Sequence, residues 1–211
     1  MTNGNDFTGV VVTGSGTAGA PPDVVRVALA AEAAADTVSD AMTQATVGLA
    51  RMRSVMSDAG IPSSDLRTAD TSVYVDHGPR GEGPQRFVAR LGLTVVVREV
   101  GAAGSIVQNA LEEAGDTARL SSLSFAHSDP SALLTTARQA AFADALAKAQ
   151  QFAVLAGREL GVVVAVDDTA PGGPIPLPRR MAAAPLAAAE FDVEGGQQEV
   201  SASVVVRWAW A

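Results

Sequence analysis

The sequence contains no cysteine among its 211 residues. That absence excludes disulfide bonds, catalysis by a thiol and metal sites that use cysteine ligands. Aromatic residues are also scarce, at 4% of the chain, so alanine, valine and leucine must fill most of the core. Because each small side chain buries little area, we expect part of the burial to come from contacts between subunits.

Charged residues make up only 18% of the chain, and the formal net charge is −8. An acidic surface repels the phosphates of nucleic acids and anionic lipids, so we expect neither as a partner. No stretch reaches the roughly 18 uninterrupted apolar residues that a membrane-spanning helix needs. Hydrophobic residues nevertheless account for 47% of the chain, which indicates a folded, soluble protein and not a disordered one.

The first six residues, MTNGND, have no basic segment and lead into no apolar run. As the sequence stands, this predicts no signal peptide and a cytoplasmic location. A periplasmic or secreted location is the alternative if a leader has been removed.

Hydrophobic periodicity predicts an α+β fold in which antiparallel or mixed sheets pack with two long helices and one short helix. The long helices run from residue 36 or 37 to about Ala59, and from Asp129–Pro130 to about Leu160, where Gly161 ends the second one. The short helix runs from about Ala103 to Ala114. The predicted strands begin near Val10, Val25, Leu66, Phe87, Arg119, Val162 and Val200.

The order of these elements predicts a single domain over residues 1–211 with two halves, about 8–100 and 101–211. Each half contains a strand, a long helix and two further strands, and the short helix joins them. Val162–Val166 is a continuous apolar run, which is typical of a strand buried on both faces. The proline-rich loop 168–198 either packs against a neighbouring subunit or is mobile.

Three glycines, in the pattern Gly14-x-Gly16-x-x-Gly19, match the spacing of a dinucleotide-binding loop. Such a loop must open a helix whose N-terminus holds the pyrophosphate. Here Pro21-Pro22 intervenes, and the residues that follow alternate with period two. We therefore interpret the glycines as a turn between two adjacent strands.

The remaining candidates for chemistry are isolated in the sequence. His77 lies in a hairpin tip, and His127 ends a strand beside Ser128-Asp129, so the two histidines alone cannot close a metal site. The acidic pairs Glu112-Glu113 and Asp167-Asp168 are typical of solvated positions. Trp208 and Trp210 alternate along the last strand, which favours a role in the core. We predict no catalytic, cofactor-binding or metal-binding residues, no cofactor, and no enzymatic activity.

Several segments, taken in order along nearly the whole chain, resemble the SIMPL-domain family, which includes bacterial periplasmic immunogenic proteins. The matching segments are Val11-Val12-Thr13-Gly14-Ser15-Gly16, Pro22-Asp23, Gly60-Ile61, Asp65-Leu66-Arg67-Thr68, Val95-Val96-Val97-Arg98, Ala137-Arg138-Gln139-Ala140-Ala141, Asp144-Ala145, Lys148-Ala149 and Gln198-Glu199-Val200-Ser201-Ala202-Ser203-Val204. The resemblance implies an α+β fold and large oligomers, in some cases ring- or channel-like. It also implies a role in stress tolerance, and it carries over no catalytic residues.

Three functional hypotheses follow. The leading one is a non-enzymatic homo-oligomer, an assembly or scaffold, whose function emerges from self-association. The second is a small-molecule binding module with a pocket between helices and sheet. The third, a remote one, is a nucleotide-dependent enzyme that uses Gly14 to Gly19.

Overall fold

A computed structural model of the protein describes residues 8–77, 83–169 and 196–211. The predicted hairpin tip at 78–84 and the proline-rich loop lie mostly outside these residues. In chain order the strands and helices are β1 (Gly9–Ala20), β2 (Val24–Ala35), α1 (Val38–Asp58), β3 (Leu66–Asp76), β4 (Arg86–Val97), α2 (Ala103–Ala114), β5 (Ala118–Ala126), α3 (Ser131–Leu155), β6 (Leu160–Thr169) and β7 (Gln198–Trp210). The α+β class, the two long helices and the short one are confirmed, and so is the repeated order of strand, helix, strand, strand.

The described chain forms two compact units, each with its own antiparallel sheet. The α3 unit comprises residues 8–21, 129–169 and 197–211, and the α1–α2 unit comprises residues 22–77 and 83–128. Each unit draws on both halves of the sequence, because β1 pairs with β7 and β5 pairs with β2.

In the α1–α2 unit, α1 and α2 cover one face of a sheet with the strand order β3-β4-β2-β5. Thr37 begins α1 as its N-cap, since its hydroxyl accepts a hydrogen bond from the Asp40 backbone N–H at 3.1 Å. Gly115 ends α2 with a φ of 56°, a conformation that glycine adopts without strain. Met52 and Met56 of α1 are fully buried against the sheet, as ordinary core packing predicts.

In the α3 unit, α3 lies across a sheet with the order β1-β7-β6. It packs on β1 and β7 and hardly touches β6. The helix presents a row of alanines four residues apart, all of them buried: Ala137, Ala141, Ala145, Ala149 and Ala153. The side chains of β7 that face α3 are mostly larger than alanine. The buried ones belong to Val200, Ala202, Val204, Val206 and Trp208.

The interpretation of Gly14 and Gly16 as a turn is wrong, because β1 continues through both of them to Ala20. Both glycines are buried under α3. A Cβ atom on Gly14 would overlap the carbonyl oxygen of Ala141 and lie 2.6 Å from the backbone nitrogen of Ala145. A Cβ on Gly16 would overlap the carbonyl oxygen of Ala137. These glycines are therefore needed for the close approach of a helix to a strand, and not for a turn.

The predicted end of the second long helix is also wrong. The helix ends at Leu155, and Gly157, with a φ of 62°, turns the chain away. Leu160 is already the first residue of β6, and Gly161 lies within that strand. The apolar residues between 152 and 160 continue the helical pattern in the sequence, which conceals the boundary that Gly157 sets.

We expect Gly14→Ala to lower the free energy of unfolding by about 1–3 kcal/mol, because the added methyl group has no space beneath the α3 backbone. The matched control is Gly19→Ala on the same strand, where the nearest atom to a new Cβ is the mobile Glu199 Cγ at 3.3 Å. Urea unfolding followed by circular dichroism measures both. Equal midpoints for the two variants would contradict the close-packing account.

Candidate assembly surface

The expectation that Val162–Val166 is buried on both faces is wrong. Four valines of this run are exposed, at 74% for Val162, 43% for Val163, 55% for Val164 and 50% for Val166. The physical reason is the position of α3, which packs on β1 and β7 and leaves most of β6 uncovered. The run is apolar and is nevertheless part of the surface.

β6 is also an edge strand, because β7 is its only partner among the described residues. The register with β7 shifts twice, between Leu160 and Val163 and again between Val163 and Ala165. Val162 and Val164 consequently have no Cα partner on β7. An edge strand presents unpaired N–H and C=O groups, and these are a template for another strand.

At the opposite edge of the same sheet, which we call the closed edge, side chains of α3 bond to two backbone groups of β1. The Asp144 carboxylate accepts a hydrogen bond from the Ser15 backbone N–H at 2.8 Å, and the Lys148 ammonium donates to the Thr13 carbonyl at 3.1 Å. Lys148 and Asp144 also pair with each other at 2.7 Å. The Ser15 N–H and the Thr13 carbonyl of β1 therefore have hydrogen-bond partners within the chain. Among the described residues, no side chain forms such a bond with the backbone of β6.

Acidic side chains flank the apolar run of β6 at its C-terminal end. Asp168 forms an ion pair with Arg138 of α3 at 3.0 Å, and Asp167 lies 3.9 Å from Arg207 of β7. All four side chains are largely exposed, so each pair contributes little to stability. Asp167 and Asp168, which the sequence predicts to be solvated, are thus exposed and form local ion pairs. They lie at the C-terminal end of the exposed valines of β6.

A shallow apolar groove lies where α3 ends beside the start of β1. Its volume is about 490 Å³, within the range of small-molecule sites, although it is wide open to solvent. The groove is lined by Val10, Val11, Phe152, Leu155, Ala156 and Trp210. Trp208, in contrast, is almost fully buried in the core and contacts the ring of Phe142, as predicted from the alternation.

The two histidines belong to the α1–α2 unit. His77 is exposed after β3, and His127 follows β5 with its Nε2 buried and without a hydrogen-bond partner within the described residues. Ser128, its neighbour, binds Asp23 through both its N–H, at 2.7 Å, and its hydroxyl, at 2.6 Å. These bonds hold the pKa of Asp23 below its usual value.

Glu112 lies on the exposed side of α2 and accepts a hydrogen bond from Gln108. In the parts of the chain that the structure describes, no three His, Asp or Glu side chains group closely enough to hold a metal ion. None of the described helices is long and apolar enough to cross a membrane. Gly14 and Gly16 give no support to the nucleotide hypothesis, because α3 fills the space that a pyrophosphate would need.

The sequence analysis predicts neither the side-chain bonds that close the β1 edge nor the exposure of the valines of β6. The signal for the closed edge was present, since Asp144 and Lys148 form an i, i+4 pair of opposite charge beside the alanine row. The exposure of β6 has no such signal, because a run of valines is equally compatible with the interior and with an interface.

Comparison with known proteins gives a match over almost the whole chain. The SIMPL family, described as a protein of unknown function (DUF541), matches residues 10–208. The 26 kDa periplasmic immunogenic protein of Brucella melitensis biotype 1 is 31% identical over 212 aligned residues, which cover 93% of this chain and 82% of that protein. The protein of the same name from Brucella abortus strain S19 has the same identity and coverage.

The closed edge predicts a dependence of stability on pH. The Lys148 ammonium, followed by the Ser15 N–H, lowers the pKa of Asp144 below its ordinary value of 3.8. A carboxylate with a lowered pKa in the folded state stabilises the fold above its unfolded pKa and loses that effect as the pH falls. We expect Asp144→Asn to be less stable than the native chain at pH 6, and the difference to shrink between about pH 4 and pH 2.

Chemical unfolding at each pH measures this difference. Glu199→Gln is the control, because Glu199 on β7 is exposed and forms no ion pair within the described residues. A gap between the native chain and Asp144→Asn that stays constant, or that grows in acid, would contradict the role of the ionised carboxylate.

Proposed function

The chain belongs to the SIMPL family, and on that premise we propose that it is a non-enzymatic building block of a homo-oligomeric assembly. One observation carries the proposal: the valines of β6 are exposed on an open sheet edge. Contiguous apolar surface and unpaired strand edges are both features that soluble proteins cover when they act as monomers. Self-association covers both at once.

The composition supports the same proposal. The buried face of α3 is built from alanine, and two of the three buried residues of β1, Gly14 and Gly16, are glycines, so this contact buries little area per residue. Valines placed at the surface then add burial only when a second molecule covers them. A subunit interface at β6 provides this burial without changing the packing between α3 and the sheet.

For location, we propose the periplasm instead of the cytoplasm. The names of both Brucella relatives place those proteins in the periplasm, and the cytoplasmic expectation finds no support in them. The stress-related role that the family resemblance implies stays a prediction, since no contact among the described residues bears on it.

The groove at the end of α3 supports a second candidate function, the binding of a small apolar molecule. Its lining is mostly apolar, and Phe152 and Trp210 contribute aromatic rings. The proposed site lies at the end of the helix, beside the sheet edge, and not in an enclosed cavity between helix and sheet.

We expect the native chain to form a discrete multimer whose mass, measured by light scattering on a sizing column, does not change over a wide range of protein concentration. Val164→Lys places a charge on the open edge and should move the mass toward that of one chain. The added charge cannot be desolvated in an apolar interface without a large cost.

The matched control is Val47→Lys on α1, where the valine is 46% exposed and lies on a helix. This variant should keep the native mass. Circular dichroism checks that both variants are folded. A native chain that is a monomer at every concentration would contradict the proposed function.

For the second candidate, we expect 8-anilinonaphthalene-1-sulfonate, an anionic fluorophore with apolar aromatic rings, to bind the groove through these rings and to quench tryptophan emission. Leu155→Asp should weaken binding about tenfold or more, because a carboxylate replaces apolar contact. Val154→Asp is the control: its side chain is 79% exposed and does not line the groove. Equal affinities of the two variants would exclude the groove as the site.

A further inference from the structure

We infer that two copies of this chain join edge to edge, with β6 of one copy antiparallel to β6 of the other and Val164 opposite its own counterpart. This inference rests on the proposed self-association and specifies its partner, its strand and its register. The resulting sheet would have the order β1-β7-β6-β6-β7-β1.

The choice of strand follows from the two edges of the α3 unit. At β1, Asp144 and Lys148 already occupy backbone groups of Ser15 and Thr13, so a second strand would have to displace an ion pair. At β6, no side chain of the described residues bonds to the outer edge of the apolar run. Addition of a strand there satisfies backbone groups and costs no existing contact.

The register follows from the position of the apolar run. Val162–Val166 contains five apolar residues in succession, and its centre is Val164. In an antiparallel pair centred on Val164, Val162 faces Val166 of the second copy and Val163 faces its Ala165. Each apolar residue then packs against an apolar one. A shift of the centre by one residue in either direction brings Gly161 or Asp167 opposite a residue of the run.

The exposed side chains fit the same register. Val162 and Val164 are the two most exposed valines of the run, and neither has a Cα partner on β7. Directly opposed residues of an antiparallel pair have side chains about 5 Å apart, so a second copy would cover both valines. Among the described residues, β7 is the only strand beside β6, and it does not cover these two valines.

Like charges disfavour registers that are displaced further toward the C-terminal end of β6. In the register centred on Val164, Asp167 and Asp168 face Gly161 and Leu160 of the second copy, so no two carboxylates are opposed. If the centre of the pair moves by three residues toward the C-terminal end of β6, Asp167 of one copy lies opposite Asp167 of the other. Like charges that lie opposite one another destabilise a strand pair.

The absence of cysteine makes the inference testable by a single introduced thiol. In a Val164→Cys variant, any disulfide must join residue 164 of two copies. Opposed residues in an antiparallel pair have Cα atoms about 4.5–5.5 Å apart, which a disulfide can span. We expect mild oxidation with copper phenanthroline to give a covalent dimer at least tenfold faster than in the control Val47→Cys, whose side chain is exposed on α1.

A second pair of variants tests the register independently. Val162→Cys and Val166→Cys face each other across the two copies, so each alone should cross-link slowly. An equimolar mixture of the two should cross-link at a rate close to that of Val164→Cys. Light scattering on the reduced variants shows that assembly itself is intact.

The outcomes separate this inference from the proposed function. If Val164→Cys cross-links no faster than Val47→Cys while the native chain is a multimer, the β6 pairing is wrong and self-association stands. If the mixture cross-links no faster than its components, the register centred on Val164 is wrong. If the native chain is a monomer throughout, both proposals fall together.

Discussion

The close contact between α3 and β1 is the constraint on which the α3 unit depends. Gly14 and Gly16 have no side chains, so the backbone of α3 lies directly against the strand. On the helix, every fourth residue from Ala137 to Ala153 is a buried alanine. Larger residues on either side would push the helix away. Small residues at both surfaces therefore determine where α3 lies on the sheet.

The position of α3 determines the character of the two sheet edges. Because the helix lies over β1, Asp144 and Lys148 reach the backbone of Ser15 and Thr13 and close that edge. For the same reason the helix does not cover β6, and the valines of β6 stay exposed. Two backbone groups in the middle of the β1 edge are thus bonded within the chain, and the β6 edge is available to a second copy. The proposed assembly follows from this asymmetry.

Local sequence signals were sufficient for most of the fold. The start of α1 at residue 36 or 37, the end of α2 at Ala114 and the alternation that buries Trp208 follow from short-range geometry, and all three are confirmed. Gly14 and Gly16 were misread because the need for glycine came from a helix more than 120 residues away, as in the Ser15–Asp144 bond. The exposure of Val164 was misread for a related reason. Burial depends on which element lies above a strand, and the sequence of the strand does not contain that information.

Amide hydrogen exchange at several protein concentrations tests the central claim most directly, namely that α3 closes the β1 edge and leaves β6 for a second copy. The account predicts that amides of Val162–Val166 become more protected as the concentration rises through the range of assembly. It also predicts that the Ser15 amide, bonded to Asp144, is protected to the same degree throughout. Protection of β6 that does not change with concentration in a multimeric protein, or protection that rises at β1 instead, would contradict it.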